Sequence, residues 1–235
     1  MSIQNVARWT GHEIRLQMKN GMYIAYLLVN LLYIFALGYV NGEWKGTVAT
    51  LLVLTDPTFL GMIFVGGILL LEKNSRIPNG IGISPLGSGG YIIAKCLSLL
   101  VITVITAICI MMAGTVRITI LKLVAITIVA AIFTMYGIVL ATYAKGLNHF
   151  IALFMVGTVI GVLPVVLYLV NPLSKLLCFL PTYPLIRILS NDGWAIGEVH
   201  VLSSEGIGVS LIILLLWLIG TYYYTKRTIE RRLFR

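Results

Sequence analysis

Charged side chains are scarce in this sequence: they make up 11% of its 235 residues, whereas hydrophobic residues make up 59%. A soluble domain carries about a quarter charged residues, so the composition excludes an ordinary soluble enzyme. It also excludes an intrinsically disordered chain, because disorder requires low hydrophobicity. Acidic residues are especially few, with 8 Asp and Glu against 17 Lys and Arg, and the formal net charge is +9. The composition therefore indicates an integral membrane protein whose positive charge needs an explanation.

Cysteines and catalytic motifs are also scarce. Cys96, Cys109 and Cys178 show no paired spacing, which excludes a disulfide framework and a C-x-x-C metal site. The sequence contains neither H-E-x-x-H nor G-x-S-x-G. The glycine-rich stretch 80–90 lacks the Lys-Ser/Thr pair of a phosphate-binding loop. We therefore expect no catalytic residue, no metal site and no cofactor bound by this chain.

Long apolar runs dominate what is present. About 20 apolar residues cross the hydrocarbon core as a helix, and the alternating pattern of barrel strands is absent. The fold class predicted is an all-α integral membrane protein with six transmembrane helices. These spans cover residues 22–40, 47–71, 91–113, 118–144, 150–170 and 207–224. Within the second span, Asp56-Pro57 has the pattern of an N-cap and a first-turn proline, which predicts that the helix proper begins at residue 57.

The polar residues 1–20 predict an amphipathic helix that lies in the cytoplasmic interface, with Trp9 as a headgroup anchor. The polar face comprises Gln4, Arg8, His12, Arg15 and Lys19. The apolar face comprises Ile3, Val6, Ile14 and Met18. The alternative is that these residues simply extend the first span as one continuous helix.

The connection 171–206 is too apolar for a simple outer loop and is interrupted by Pro172, Pro181 and Pro184. Each half is too short to cross the bilayer. We therefore predict two short re-entrant helices in the outer leaflet between the fifth and sixth spans, shielded by protein. A seventh span is the alternative, but it would place the basic C-terminal residues outside.

The distribution of Lys and Arg predicts the orientation. With both termini, the 72–95 connection and the 145–149 connection inside, 12 of the 17 cations are cytoplasmic. Three of the 8 acids share that side, so the whole net charge of +9 lies there. We therefore expect a multi-pass cell-membrane protein with cytoplasmic termini whose basic rim meets anionic lipid, and no nucleic-acid partner.

The 72–95 connection has the most informative spacing. Glu72 closes the second span, Ser84-Pro85-Leu86 begins twelve residues later, and Lys95 follows Ser84 by eleven. With Leu180-Pro181-Thr182 in the outer segment, this order resembles the membrane subunits of type-2 ABC exporters, the ABC transporter permease family. Ser84 as N-cap and Pro85 in the first turn suit a short cytoplasmic helix.

The resemblance implies a non-catalytic permease, bacterial, forming one transmembrane domain over residues 1–235. Its parts are the interfacial helix 1–20, spans in 22–71, the coupling loop 72–95, spans in 91–170, the outer segment 171–206, a span in 207–225 and a basic cytoplasmic tail 226–235. It implies two copies of a separate ABC ATPase subunit that binds ATP and Mg²⁺, and a second permease subunit, identical or a sister chain.

The resemblance also implies which residues couple the permease to the ATPase. They are Glu72, Arg76, Ser84, Pro85, Leu86 and Lys95. The family often has Gly-Thr and an acidic residue in this loop, where this chain has Arg76-Ile77 and Asn79. The contact at those three positions is therefore left open.

Few polar side chains lie within the spans, and this scarcity indicates which kind of substrate the protein would carry. The resemblance implies a path lined by the first, second and fifth spans, with Asn30, Tyr33 and Thr158 in its wall. A path without fixed charge favours a hydrophobic or amphipathic substrate, such as a membrane-active peptide or a drug-like molecule. The alternatives are export of a lipid- or glycan-linked substrate, and an ion-coupled secondary carrier. A carrier needs a mid-bilayer carboxylate, for which Asp56 is the one candidate.

Overall fold

The computed structural model describes residues 3–75, 86–170, 180–189 and 204–233, and all secondary structure in these ranges is helical. The helices are α1 (Ile3–Lys19), α2 (Met22–Tyr39), α3 (Gly42–Asn74), α4 (Gly87–Ala113), α5 (Ile120–Tyr143), α6 (Leu147–Val170), α7 (Thr182–Leu189) and α8 (Ser204–Arg232). By length and composition, α2, α3, α4, α5 and α8 are able to cross a membrane. An all-helical, multi-pass architecture is thus confirmed, while the sixth span stays a prediction, since α6 contributes a shorter apolar stretch, Leu147–Val159.

Helix α1 is separate from the first span, so the alternative of one continuous helix is wrong. Gly21 has φ 72°, a left-handed conformation that glycine adopts readily, and it separates α1 from α2. The basic side chains predicted on the polar face of α1 are exposed, and Val6 is buried. Met18 departs from the prediction, because it is exposed. The helix packs along α4 rather than standing apart from the bundle.

The predicted start of the second helix at residue 57 is also wrong. Helix α3 runs without a break from Gly42 to Asn74, and Asp56 lies near its middle. The apolar residues before Asp56 pack in the same core as those after it; Val53 and Leu54 are both fully buried. Burial of this first half outweighs the local cap signal, and Asp56 instead accepts a hydrogen bond from another helix.

Helices α3 and α5 form the centre of the bundle, with α4 against both and α8 against α5. The backbones of α3 and α5 approach closely at Gly137, where a Cβ atom would lie 2.5 Å from the carbonyl oxygen of Met62. One core cluster lies around Leu54, Ile110 and Ile126. A second lies around Leu69 and Ile138, among other residues, towards the end of the bundle predicted to be cytoplasmic.

The outer segment contributes one described helix, α7, which follows directly on Leu180-Pro181. The backbone N–H of Tyr183 donates to the carbonyl of Leu180 over 3.1 Å. Leu185 and Ile186 are buried, and α7 packs against α8, α5 and α6. Residues 171–179 and 190–203 lie outside the described residues, so the second short helix and the re-entrant path stay predictions.

The basic segment predicted as a tail is in part helical. Helix α8 continues through residues 226–232. Ile229 and Leu233 are buried in the second core cluster, and the hydroxyl of Ser88 on α4 donates to Glu230. These contacts extend the helix beyond the predicted end of the span.

Candidate functional site

Glu72 and Lys95, two of the predicted coupling residues, meet in the fold. The Nζ atom of Lys95 lies 2.6 Å from Oε1 of Glu72 and 3.1 Å from Oε2 of Glu13. The hydroxyl of Tyr91, one turn before Lys95, also donates to Glu72. These contacts tie α1, α3 and α4 together, and we call Glu13, Glu72, Lys95 and Tyr91 the rim cluster.

The rim cluster is buried, since Glu13, Glu72 and Lys95 are 1%, 4% and 1% exposed. Burial raises the pKa of the Glu13 carboxyl, and the charge of Lys95 opposes that rise. One ammonium thus faces two carboxyl groups. One turn along α1, Nε2 of Gln17 donates to Oγ of Ser98 over 2.7 Å and extends the polar contact between α1 and α4.

Sequence reasoning missed Glu13 and Gln17. Val6, Glu13 and Gln17 are spaced by seven and four residues, which places them on one face of a helix. All three are buried in the structure. This spacing was the available signal, but polar residues on a buried face were not expected.

The other predicted coupling residues have mixed outcomes. Leu86 is buried in the second core cluster just before α4 begins. Arg76, Ser84 and Pro85 lie outside the described residues. Glu72 and Lys95 are buried and form an ion pair with each other at the two ends of the 72–95 connection. The ATPase-coupling role of all six stays a prediction.

A second cluster of polar side chains lies within the membrane-spanning part, between α2, α3 and α4. Oγ1 of Thr106 on α4 donates to Oδ2 of Asp56 over 2.9 Å. Tyr26 and Tyr33 on α2 lie within electrostatic range of the Asp56 carboxylate. Asp56 is 2% exposed. We call Tyr26, Tyr33, Asp56, Thr103 and Thr106 the Asp56 site.

Two of the three predicted path residues lie on the helix that covers this site. Asn30 and Tyr33 are neighbours on α2, within one turn, and both are half-buried. The Oδ1 atom of Asn30 is buried without a hydrogen-bond partner in the described part of the chain. Thr158 lies on α6, packed mainly against α3, α7 and α5, and its hydroxyl donates to the carbonyl of Phe154. Thr158 thus lies on a different helix from the other two, and the path role of all three stays a prediction.

Two apolar grooves flank α8, and sequence reasoning did not find them because they depend on helix packing. The larger, of about 660 Å³, lies between α5 and α8. Its wall includes Tyr136, Trp217 and Tyr224, with Thr225 as a polar member whose hydroxyl lacks a hydrogen-bond partner among the described residues. The smaller, of about 470 Å³, lies between α4, α5 and α8.

Residues 38–220 match a protein family described as fluoroquinolones export permease protein Rv2686c-like. The match reaches from the end of α2 into α8 and covers most of the chain. No curated protein matches the chain. The family description agrees with the resemblance to ABC exporter permeases drawn from the coupling loop. The chain belongs to the Rv2686c-like family of fluoroquinolone export permeases.

Proposed function

We propose that this chain is the membrane subunit of an ATP-driven exporter that moves hydrophobic or amphipathic drug-like molecules out of the cell. Membership of an export permease family over residues 38–220 is the observation that carries the proposal. The family description names fluoroquinolones, so these are the first cargo to test. Because the sequence has no nucleotide-binding motif, ATP and Mg²⁺ would bind a separate ATPase in two copies, with a second permease subunit completing the path.

The coupling loop would transmit the ATPase cycle to the membrane helices. The rim cluster joins the helices on either side of this loop to α1, over contacts of 2.6 and 3.1 Å. A displacement of the loop would therefore move α1, α3 and α4 as one unit instead of being absorbed locally. Alternating access through the bundle would follow from that rigid movement.

The partner contact is testable by co-purification with the ATPase. Replacing Ser84-Pro85-Leu86 by three alanines should remove the predicted N-cap and first-turn proline, and the ATPase should no longer co-purify. Thr119→Ala is the control, since this exposed residue precedes α5 on the side predicted to be outer, and its side chain makes no cap hydrogen bond. Equal recovery of the ATPase with the triple variant and with the control would contradict the coupling role.

A hydrophobic or amphipathic cargo is supported by the scarcity of charged side chains, which make up 11% of the sequence, and by the family description, which names a drug class. The groove of about 660 Å³ between α5 and α8 borders exposed apolar side chains such as Leu216, so lipid or the second permease subunit would cover it.

An ion-coupled secondary carrier is the second candidate, and one observation favours it. Asp56 lies inside α3, where an ionisable side chain in a membrane marks a functional site by default. If export is proton-coupled, a protonophore and Asp56→Asn should each abolish it in cells that retain ATP. If export is ATP-driven, it should continue when the protonophore collapses the gradient and ATP is maintained.

A further inference from the structure

We propose that Asp56 recognises a positively charged group on the exported molecule, an organic ammonium or a similar lipophilic cation, held between α2, α3 and α4. The inference rests on the proposed export function and defines its cargo further. It concerns which molecules are selected, whereas the ATPase supplies the energy.

The first argument is the lack of a counter-charge. In the part of the chain that the structure describes, no Lys, Arg or His pairs with Asp56, whereas Glu13 and Glu72 share Lys95. The one hydrogen bond to its side chain in this part comes from the neutral hydroxyl of Thr106. Burial of an unpaired carboxylate is costly, and an asparagine could accept the same bond without that cost. The acidic group is therefore explained by a cation that binds there.

The second argument is the chemistry around the carboxylate. Tyr26 is 1% exposed, and its ring centroid lies 4.8 Å from that of Phe64. The Tyr26 hydroxyl is buried and has no hydrogen-bond partner among the described residues. Tyr33 adds a second hydroxyl within the electrostatic reach of Asp56. A buried carboxylate on a helix that also packs aromatic rings suits an organic cation, because carboxylates and aromatic rings both attract positive charge in an apolar setting.

The third argument concerns access. Helix α2 covers the Asp56 site, yet its buried residues are few, namely Met22, Tyr26 and Leu37. Gly21, with its left-handed backbone, interrupts the chain between α1 and α2, so α2 is not rigidly continuous with α1. A movement of α2 away from α3 and α4 would expose Asp56 without disturbing the α3–α5 centre of the bundle.

Binding of two probes to the purified full-length protein tests the inference. Tetraphenylphosphonium supplies a lipophilic cation, and Nile red supplies an uncharged apolar molecule. Asp56→Asn should weaken tetraphenylphosphonium binding by about tenfold or more, as expected for loss of a charged partner, and leave Nile red binding unchanged. Asp56→Glu should retain most of the affinity. Thr106→Val, which keeps the charge, should have a smaller effect than Asp56→Asn.

Melting temperatures separate misfolding from loss of recognition, and the Asp56→Glu and Thr106→Val variants keep the test valid if Asp56→Asn fails to fold. Three results would overturn the inference: no saturable binding of tetraphenylphosphonium to the wild type, equal affinity in Asp56→Asn, or loss of both probes in a variant that melts normally. ATP-driven transport of tetraphenylphosphonium that is equal in wild type and Asp56→Asn would overturn it and leave the exporter function standing. Charge-selective binding without any ATP-driven transport would support the inference and contradict the exporter function.

Discussion

At the scale of single residues, Lys95 is the critical member of the rim cluster. Its one ammonium faces the carboxyl groups of Glu13 and Glu72, and all three side chains are buried. Removing Lys95 leaves two acidic groups in a site that excludes water, whereas removing Glu13 leaves one matched pair with Glu72. The two deletions should therefore differ greatly in their cost.

We predict that Lys95→Met lowers the free energy of unfolding by about 3–5 kcal/mol, the usual cost of leaving a buried charge without its partner. Glu13→Gln should cost distinctly less, because the pair of Lys95 with Glu72 remains. Thermal unfolding of the purified protein in detergent measures both. Lys19→Met is the control, since Lys19 is exposed on the same helix as Glu13. Equal melting temperatures of Lys95→Met and Lys19→Met would contradict the predicted role of Lys95.

The sequence could predict part of this cluster. The spacing of Glu72 and Lys95 around the coupling loop singled them out, and the family resemblance implied that they act in the contact with a partner protein. Their mutual contact, and the participation of Glu13 from a helix far away in the chain, depend on how α1 packs along α4. That packing is a tertiary contact, and the only local sequence pattern that indicates it is the helix face shared by Val6, Glu13 and Gln17.

At the scale of elements, the sequence predicts the helices well and their ends less well. Apolar runs and the three-to-four spacing of basic residues predicted α1 and the spans. The prediction for Asp56-Pro57 failed, because a cap signal is local while α3 is held along its whole length by its neighbours. The prediction of a tail for the C-terminal residues failed for the same reason. Ile229 and Leu233 are buried against residues of other helices, and the local sequence does not indicate these contacts.

The crossing of α3 and α5 provides a prediction at this scale. A methyl group at Gly137 would meet the carbonyl oxygen of Met62 at 2.5 Å, and backbone atoms cannot rotate away. Gly137→Ala should therefore destabilise the protein by about 1–3 kcal/mol, the usual range for overpacking.

The matched control is Gly67→Ala, because a Cβ atom at Gly67 has nothing within 4 Å. That change should be neutral or slightly stabilising, since alanine favours a helix over glycine by roughly 0.5–1 kcal/mol. Melting temperatures of the two variants provide the measurement. Equal effects of both substitutions would show that the close approach of α3 and α5 is not required.

At the scale of the whole molecule, composition alone predicts an integral membrane protein, and the positive-inside rule predicts its orientation. The lateral surfaces could not be predicted, because they depend on which faces the bundle leaves uncovered. Exposed apolar residues are numerous on α2 and α8. They include Leu28, Leu32 and Phe35 on α2, and Ile212, Leu216 and Tyr223 on α8. Lipid and the proposed second permease subunit would cover these faces.

The most direct test of the central claim is ATP-driven transport of a fluoroquinolone into proteoliposomes that contain this chain together with its ATPase. The account predicts accumulation that requires ATP, Mg²⁺ and both proteins, and that the alanine variant of Ser84-Pro85-Leu86 abolishes. Accumulation by this chain without the ATPase, driven by a proton gradient and lost in Asp56→Asn, would contradict it.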